Sequence, residues 1–298
     1  MALSFEEAAA KKARLFKHFV LIRKFNPYHG KDGRFTNAGG AASFTWKPGA
    51  SAAHDKAIER EKKRIAEAEE KNKPKGVYAC TSVEQVQQMM SDNGWFDESN
   101  TNGVNLSGVD LKAAQEIYTA YEQVFERYPD LQGWFKPVQA EALGSNTYAN
   151  CRLVGGKVTV NKSYYSDTEK LSQRYAEDVK SGWHPANTDW RGIVTHEIGH
   201  AVDGLLSMKG VNGASLFDTW QKKANPISKQ MKSSVNKAAK TKIKETEANV
   251  SRYATKNHLE WFAECFAEFM TSPSPRPVAK EFGKQLDQII GGIDINEW

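Results

Sequence analysis

The sequence has few cysteines and no long apolar segment, and both shortages limit what the chain can be. Its 298 residues include three cysteines, Cys80, Cys151 and Cys265, which are far apart and odd in number. Such spacing does not build a disulfide framework, so we expect folding in a reducing compartment. No stretch approaches the roughly 18 apolar residues of a membrane span. Basic residues also occupy the place of a signal peptide's apolar core. We therefore expect no membrane partner and no secretory signal.

Negative charge is scarce at the start of the chain. Residues 1–75 contain 17 Lys and Arg against nine Asp and Glu, whereas the other residues contain 24 against 27. A basic arm of this kind binds nucleic acid, an acidic membrane or an acidic protein, or is simply a solvated helix. Because the arm has no zinc finger or other nucleic-acid motif, DNA binding is an option without motif support.

The composition changes near residue 75, where aromatic and β-branched residues begin. We predict an N-terminal arm over 1–75, made of a basic amphipathic helix over 5–24, a Gly- and Pro-rich loop over 25–50 and an exposed spacer helix over 54–73. A single domain is predicted over 76–298.

The pattern within 76–298 predicts an α+β fold that is mostly helical with a small β-sheet. Two strands joined by a Gly155-Gly156 turn are expected at 147–153 and 157–161. Helices are expected from a cap at Thr81 or Ser82 to Met90, and over 111–128, 167–180, 189–207, 214–237, 258–271 and 277–290.

The segment Thr195-His196-Glu197-Ile198-Gly199-His200 contains an HExxH motif. Side chains at i and i+4 share one helical face, so His196 and His200 are predicted to bind one zinc ion. Glu197 lies between them and is expected to take a proton from a metal-activated water. Gly199 is unfavourable within a helix and suggests that another backbone approaches closely there.

Two histidines leave a zinc site incomplete, and the usual third histidine of one HExxH class is missing. That class, HExxHxxGxxH, would have Gly at position 203 and His at 206, where this chain has Asp203 and Leu206. Downstream, Glu260, Glu264 and Glu268 recur at i, i+4 and i+8 beside an apolar stripe that contains Cys265. A metal ion would relieve the repulsion between these carboxylates. We therefore favour Glu260 as the third metal ligand, with Glu264 as the rival candidate.

Another interpretation of these carboxylates needs no metal. Asn257 followed by Glu260 is a capping box, so Glu260 would only close the helix N-terminus. Glu264 and Glu268 would then face solvent.

Two segments, HEIGHAVD at 196–203 and SRYATKNHLEWFAECFAEF at 251–269, resemble the catalytic domain of anthrax lethal factor and its relatives. That is a gluzincin-type zinc metallopeptidase family. The resemblance covers part of the C-terminal half. It implies that the domain predicted over 76–298 is zincin-like, with active-site helices near 189–207 and 258–271. It implies zinc on His196, His200 and Glu260, Glu197 as general base, and Tyr253 as an electrophilic helper at the oxyanion. Glu264 and Asp203 would hydrogen-bond the ligand side chains and hold them in position.

A weaker resemblance lies in residues 25–40, FNPYHGKDGRFTNAGG, which are similar to a segment of tailed-phage head and portal-associated minor structural proteins. This resemblance implies a virion-associated or cytoplasmic protein of an infected bacterium, with capsid or portal proteins as partners of residues 1–75. The alternative is a flexible turn segment.

Together these features predict a zinc-dependent endopeptidase acting on protein or peptide substrates. One alternative is a phage head morphogenesis protein whose zinc only stabilises the fold, although purely structural zinc usually has a closed set of cysteine-containing ligands. The other is an injected effector or toxin protease with the same chemistry.

Overall fold

The computed structural model describes residues 75–99, 102–152, 155–208 and 226–291, together with residues 60, 63 and 64. The chain divides into two units, Met1–Asn72 and Lys73–Trp298, and nearly all the described residues belong to the second. The predictions for the N-terminal arm, its two helices and its loop, fall almost entirely outside the described residues.

Helices dominate the second unit, with a small three-stranded sheet among them. The helices are α1 (Val83–Asp92), α2 (Leu111–Arg127), α3 (Lys162–Tyr165), α4 (Thr168–Lys180), α5 (Gly192–Met208), α6 (Ile227–Ala238), α7 (Thr246–Asn249), α8 (His258–Thr271) and α9 (Pro277–Gly291). The strands are β1 (Gln139–Glu141), β2 (Ala149–Arg152) and β3 (Lys157–Asn161). The fold is therefore α+β and mostly helical, as predicted. Among the described residues, no helix has the length and apolar character needed to cross a membrane.

Side-chain caps account for where several helices begin. The Ser82 hydroxyl accepts a hydrogen bond from the backbone of Gln85 at the start of α1, which confirms the predicted cap. Asp110 caps α2 in the same way, accepting from the Lys112 amide at 2.8 Å. Each cap satisfies amides that the helix itself leaves unpaired, so these boundaries are encoded locally.

The sheet has the order β1-β3-β2. β2 and β3 are antiparallel, with Cys151 opposite Val158, as the predicted hairpin requires. Gly155 and Gly156 both have positive φ, 81° and 56°, a backbone region that favours glycine and explains the pair. β1 runs parallel to β3 and was not predicted, because its three residues are too few to show an alternating pattern.

Two predicted helices differ from those observed. The motif helix α5 begins at Gly192 and not at 189, because Asp189 and Trp190 form the turn before it. The helix predicted over 214–237 is observed as α6 from Ile227 to Ala238. Residues 209–225 lie outside the described part of the chain.

Helix α5 packs most extensively on α8, and glycine makes this close approach feasible. A Cβ atom on Gly199 would lie 3.0 Å from Cβ of Phe266 and 3.1 Å from Cα of Ala263. The apolar stripe of α8 is buried as predicted, including Cys265, whose thiol pKa is raised by burial. The packing of α5 on α8 thus brings the two predicted site segments together.

Replacing Gly199 with alanine should destabilise the fold despite the better helix propensity of alanine. The propensity gain is about 1 kcal/mol, but overpacking against stiff neighbours costs about 1–3 kcal/mol. We expect a net loss of about 1 kcal/mol in the free energy of unfolding, measured by urea denaturation. Gly291→Ala is the matched control, because a Cβ there meets nothing within 4 Å. An equal rise in stability for both variants would contradict the close approach.

Candidate metal centre and cleft

Three predicted ligands converge where α5 meets α8. His196 and His200 lie one turn apart on α5, and Glu260 lies in the first turn of α8. The Glu260 Oε2 atom is 3.3 Å from Nε2 of His196 and 3.2 Å from Nε2 of His200. One potential ligand atom from each residue falls within 4.8 Å of the others. These three residues could therefore hold one metal ion.

Glu260 does not act as a helix cap. Asn257 caps α8 with its own side chain, which accepts hydrogen bonds from the amides of Leu259 and Glu260, both at 2.9 Å. The Glu260 carboxylate instead points at the two histidines. Burial alone would raise the pKa of this carboxyl, but the contacts with His196 and His200 lower it well below its ordinary value. The geometry thus favours a ligand-type arrangement over the capping interpretation.

Glu264, one turn further along α8, is buried behind His196. Its Oε1 atom lies 2.8 Å from Nδ1 of His196, a distance typical of an ion pair although the alignment is poor for a hydrogen bond. The same oxygen accepts a hydrogen bond from Nδ1 of His184 at 3.1 Å. Its other oxygen accepts the Ser251 hydroxyl at 2.7 Å. The expectation that this residue faces solvent is wrong, because three elements enclose its carboxylate.

The contacts of Glu264 keep it ionised. Burial opposes its charge, but the hydrogen bond from His184 and the contact with His196 lower its pKa to about 2. A permanent anion at this position fixes the orientation of the His196 ring and leaves its Nε2 pointing at Glu260.

Glu197 lies in the motif helix between the two histidines and is 8% exposed. Burial raises the pKa of this carboxyl, against the opposing effect of His196 and His200. A carboxylate with a raised pKa is better matched to accepting protons near neutral pH. Glu197 lines the same cleft as His196, so the predicted general base has access to a substrate.

Tyr253 lies in a short 3-10 turn, Tyr253–Thr255, just before α8. Its ring is 5.7 Å from the His196 ring, measured between centroids, and it lines the cleft beside Glu197. Burial raises the pKa of its hydroxyl well above the ordinary value, and the nearby carboxylates act in the same direction. Tyr253 therefore keeps its proton and can donate a hydrogen bond into the cleft.

Asp203, predicted to support a ligand, is buried but forms its hydrogen bonds elsewhere. Its Oδ1 atom accepts from the Ser228 amide at 3.0 Å and from the Ser207 hydroxyl at 3.1 Å. The bond from Ser228 joins α5 to the start of α6, whereas the bond from Ser207 lies within α5. Among the hydrogen bonds of the described residues, none connects Asp203 to His200.

Glu268, the third carboxylate of the α8 stripe, is also buried and not solvent-facing. Arg276 binds it through two side-chain nitrogens, at 2.8 and 2.7 Å, and through its backbone amide at 2.8 Å. The same guanidinium donates to the Val250 carbonyl. Arg276 thus supplies the cation that relieves this carboxylate, while Glu260 and Glu264 have histidines as partners.

Replacing Arg276 with methionine should destabilise the fold by about 3 kcal/mol, because the buried Glu268 carboxylate would lose its cationic partner. Chemical denaturation would measure the loss, with Lys280→Met on the exposed side of α9 as control. Adding Glu268→Gln to the Arg276→Met variant should recover part of the stability. Equal stability of the Arg276 and Lys280 variants would show that the ion pair contributes little.

A cleft of about 330 Å³ opens beside the candidate metal centre. Its walls combine the site residues with aromatic and charged side chains from several elements: Tyr148, Tyr164, Arg174, Tyr175, Asp178, Trp183, His184, Ile193, His196, Glu197, Tyr253, Lys256 and Glu264, with the loop 146–147 and Ala149. The sequence analysis did not identify His184 or Ser251, the two hydrogen-bond donors to Glu264, as site residues. No local pattern marks either residue, since their shared partner Glu264 lies on a different element.

Comparison of the chain with protein-family models, with curated proteins and with solved structures found no match in any of the three.

Proposed function

We propose that this protein is a zinc-dependent endopeptidase of the gluzincin type. The observation that carries the proposal is the convergence of His196, His200 and Glu260 on one point, with Glu197 beside them in an open cleft. A purely structural metal site would not need an acid next to the ligands or an access route.

The donor set fits zinc. Two imidazoles and one carboxylate are the ligand types of many catalytic zinc sites, which keep a fourth position for water. Ligands about 2.0–2.1 Å from a tetrahedral ion are about 3.3 Å from one another. The observed separations of 3.3 and 3.2 Å between Glu260 Oε2 and the two Nε2 atoms match that spacing. Glu264 and His184 would keep the first histidine oriented.

The chemistry at the site divides among these groups. When bound, zinc would lower the pKa of a coordinated water and polarise the substrate carbonyl. Glu197 accepts the proton released by the attacking water and returns it to the leaving amine. Its raised pKa suits both directions of transfer, since a strongly acidic carboxyl would return the proton but accept it poorly.

Tyr253 has a separate role in this proposal. A tyrosine hydroxyl is protonated at neutral pH, and burial raises the pKa of this one further. It can therefore donate a hydrogen bond to the oxyanion that develops on the substrate carbonyl. Its position next to His196, in the wall of the cleft, supports this assignment.

The phage association rests on residues 25–40 alone, which lie outside the described residues. We retain it as part of the proposal: a virion-associated or cytoplasmic enzyme of an infected bacterium whose arm docks on capsid or portal proteins. A morphogenesis protein and an injected protease are the rival roles. Deleting residues 1–75 separates them, because an autonomous enzyme keeps its activity whereas a docked component loses incorporation into particles.

The direct test is cleavage of a mixed peptide pool by the purified full-length chain, loaded with zinc and analysed by mass spectrometry. New peptide termini should appear with zinc and disappear when a chelator removes it. Stoichiometric zinc without any cleavage would overturn the enzymatic proposal and favour a structural metal.

A further inference from the structure

The cleft is lined by a series of neighbouring rings, which we call the aromatic row. It consists of Tyr164, Tyr148, His184, Tyr253 and Trp183. Successive ring centroids are 4.8, 6.4, 5.7 and 5.4 Å apart along this order. The row passes the candidate metal centre at Tyr253, whose ring also neighbours His196. A peptide bound across the centre would therefore lie along these rings.

A cation lies over each end of the aromatic row. The Arg174 guanidinium is 5.1 Å from the ring centroid of Tyr164 and 5.8 Å from that of Tyr148. At the other end, the Lys256 ammonium is 5.2 Å from the ring centroid of Trp183 and 4.2 Å from that of Tyr253. Both side chains belong to exposed residues that line the cleft. Contacts of this kind hold a cation in place while leaving its outer hydrogen-bond donors free.

Neither cation is neutralised by an ion pair with a carboxylate of the described residues. Three carboxylates line the cleft, and each has another partner or role. Asp178, one turn after Arg174 on α4, attracts that guanidinium at longer range and accepts the Tyr148 hydroxyl at 2.6 Å. Glu264 is buried among two histidines and a serine, and Glu197 is the proposed base. Since neither cation has a carboxylate in direct contact, Arg174 and Lys256 can both bind a charge brought by a ligand.

We infer that Arg174 and Lys256 bind acidic side chains of the substrate, so that the cleft selects acidic peptide segments. This inference rests on the proposed peptidase function and names its substrate class. A carboxylate complements the free donors of both cations, and Arg174 can bind it through two parallel hydrogen bonds. Aromatic substrate side chains fit less well, because the cations already cover the ring faces at these two places.

Peptide binding tests this selection without requiring catalysis. The probe is a pair of short fluorescein-labelled peptide pools with blocked ends, identical except that fixed positions hold Glu in one pool and Gln in the other. Fluorescence anisotropy is measured on the full-length, zinc-loaded Glu197→Gln variant, which should not cut them. We expect the Glu pool to bind at least about tenfold more tightly than the Gln pool.

Adding Arg174→Gln or Lys256→Gln should each remove a large part of this preference. Lys170→Gln is the matched control, because Lys170 lies one turn earlier on α4, pairs with Asp167 and does not line the cleft. Equal binding of the two pools, binding of neither, or tighter binding of a labelled oligonucleotide of similar length would overturn the inference. A clear Glu preference in a wild-type chain that cuts nothing would instead overturn the proposed peptidase and leave the acidic-peptide site standing.

Discussion

Replacing Glu260 with alanine should cause the purified chain to lose its bound zinc. The wild-type protein is expected to hold one zinc ion, because three ligand atoms of suitable type converge at one point. The variant keeps only two imidazole ligands. Its zinc affinity should therefore fall by more than the roughly 10–100-fold loss that is typical when a residue hydrogen-bonded to a ligand is replaced. Metal analysis after dialysis against a weak competing chelator measures both proteins side by side.

Two further variants make this result specific. Glu264→Gln removes the anion behind His196 and should weaken zinc binding by roughly 10–100-fold without abolishing it. Glu247→Ala removes an exposed carboxylate whose ion pair is with Arg252 at the surface, and it should change nothing. Zinc retained in full by Glu260→Ala would show that its carboxylate is not a ligand. A stronger loss in Glu264→Gln than in Glu260→Ala would exchange the roles of the two residues.

Replacing Glu197 with glutamine should abolish turnover while zinc stays bound. The amide has the size of the carboxyl but cannot accept the proton of the attacking water. General base catalysis of this kind contributes roughly 10²–10⁴ in rate, which sets the expected loss in kcat. The measurement compares kcat of the two proteins on one cleaved peptide, with zinc content determined on the same samples.

The zinc content decides how a loss of activity is interpreted. If Glu197→Gln loses zinc together with activity, its carboxylate supports the metal and does not act as a base. If it retains zinc and still cuts the peptide at the wild-type rate, another group takes the proton. Tyr253→Phe is the companion variant: it should lower kcat while leaving zinc content unchanged, because the Tyr253 hydroxyl is proposed to contact substrate and not metal.

The local parts of the fold were readable from the sequence. The caps at Ser82 and Asn257, the helices α2 and α8 and the β2–β3 hairpin depend on residues near one another in the chain. Their signals are side-chain periodicity and turn chemistry, which act over a few residues. The three-residue β1 gave no such signal, since its pairing with β3 is a long-range contact.

The candidate site likewise has a part that the local sequence determines and a part that depends on long-range packing. The spacing of His196, Glu197 and His200 follows from one helical turn, so the sequence alone placed them on α5. Sequence reasoning favoured Glu260 as the third ligand, with Glu264 as its rival and a capping role for Glu260 as the alternative. The packing of α5 on α8 brings Glu260 to the histidines, Glu264 behind His196 and Glu268 to Arg276, an arrangement that periodicity alone does not specify.

What the sequence by itself determined is therefore the set of helices, the motif and the faces on which its side chains lie. Only the tertiary structure decided which partner each buried carboxylate takes, because His184 and Glu264 are 80 positions apart and meet only through packing. It also assembled the aromatic row and its two cations from separate elements. Burial then fixes the pairings, since a carboxylate withdrawn from water needs a cation or hydrogen-bond donor wherever the fold provides one.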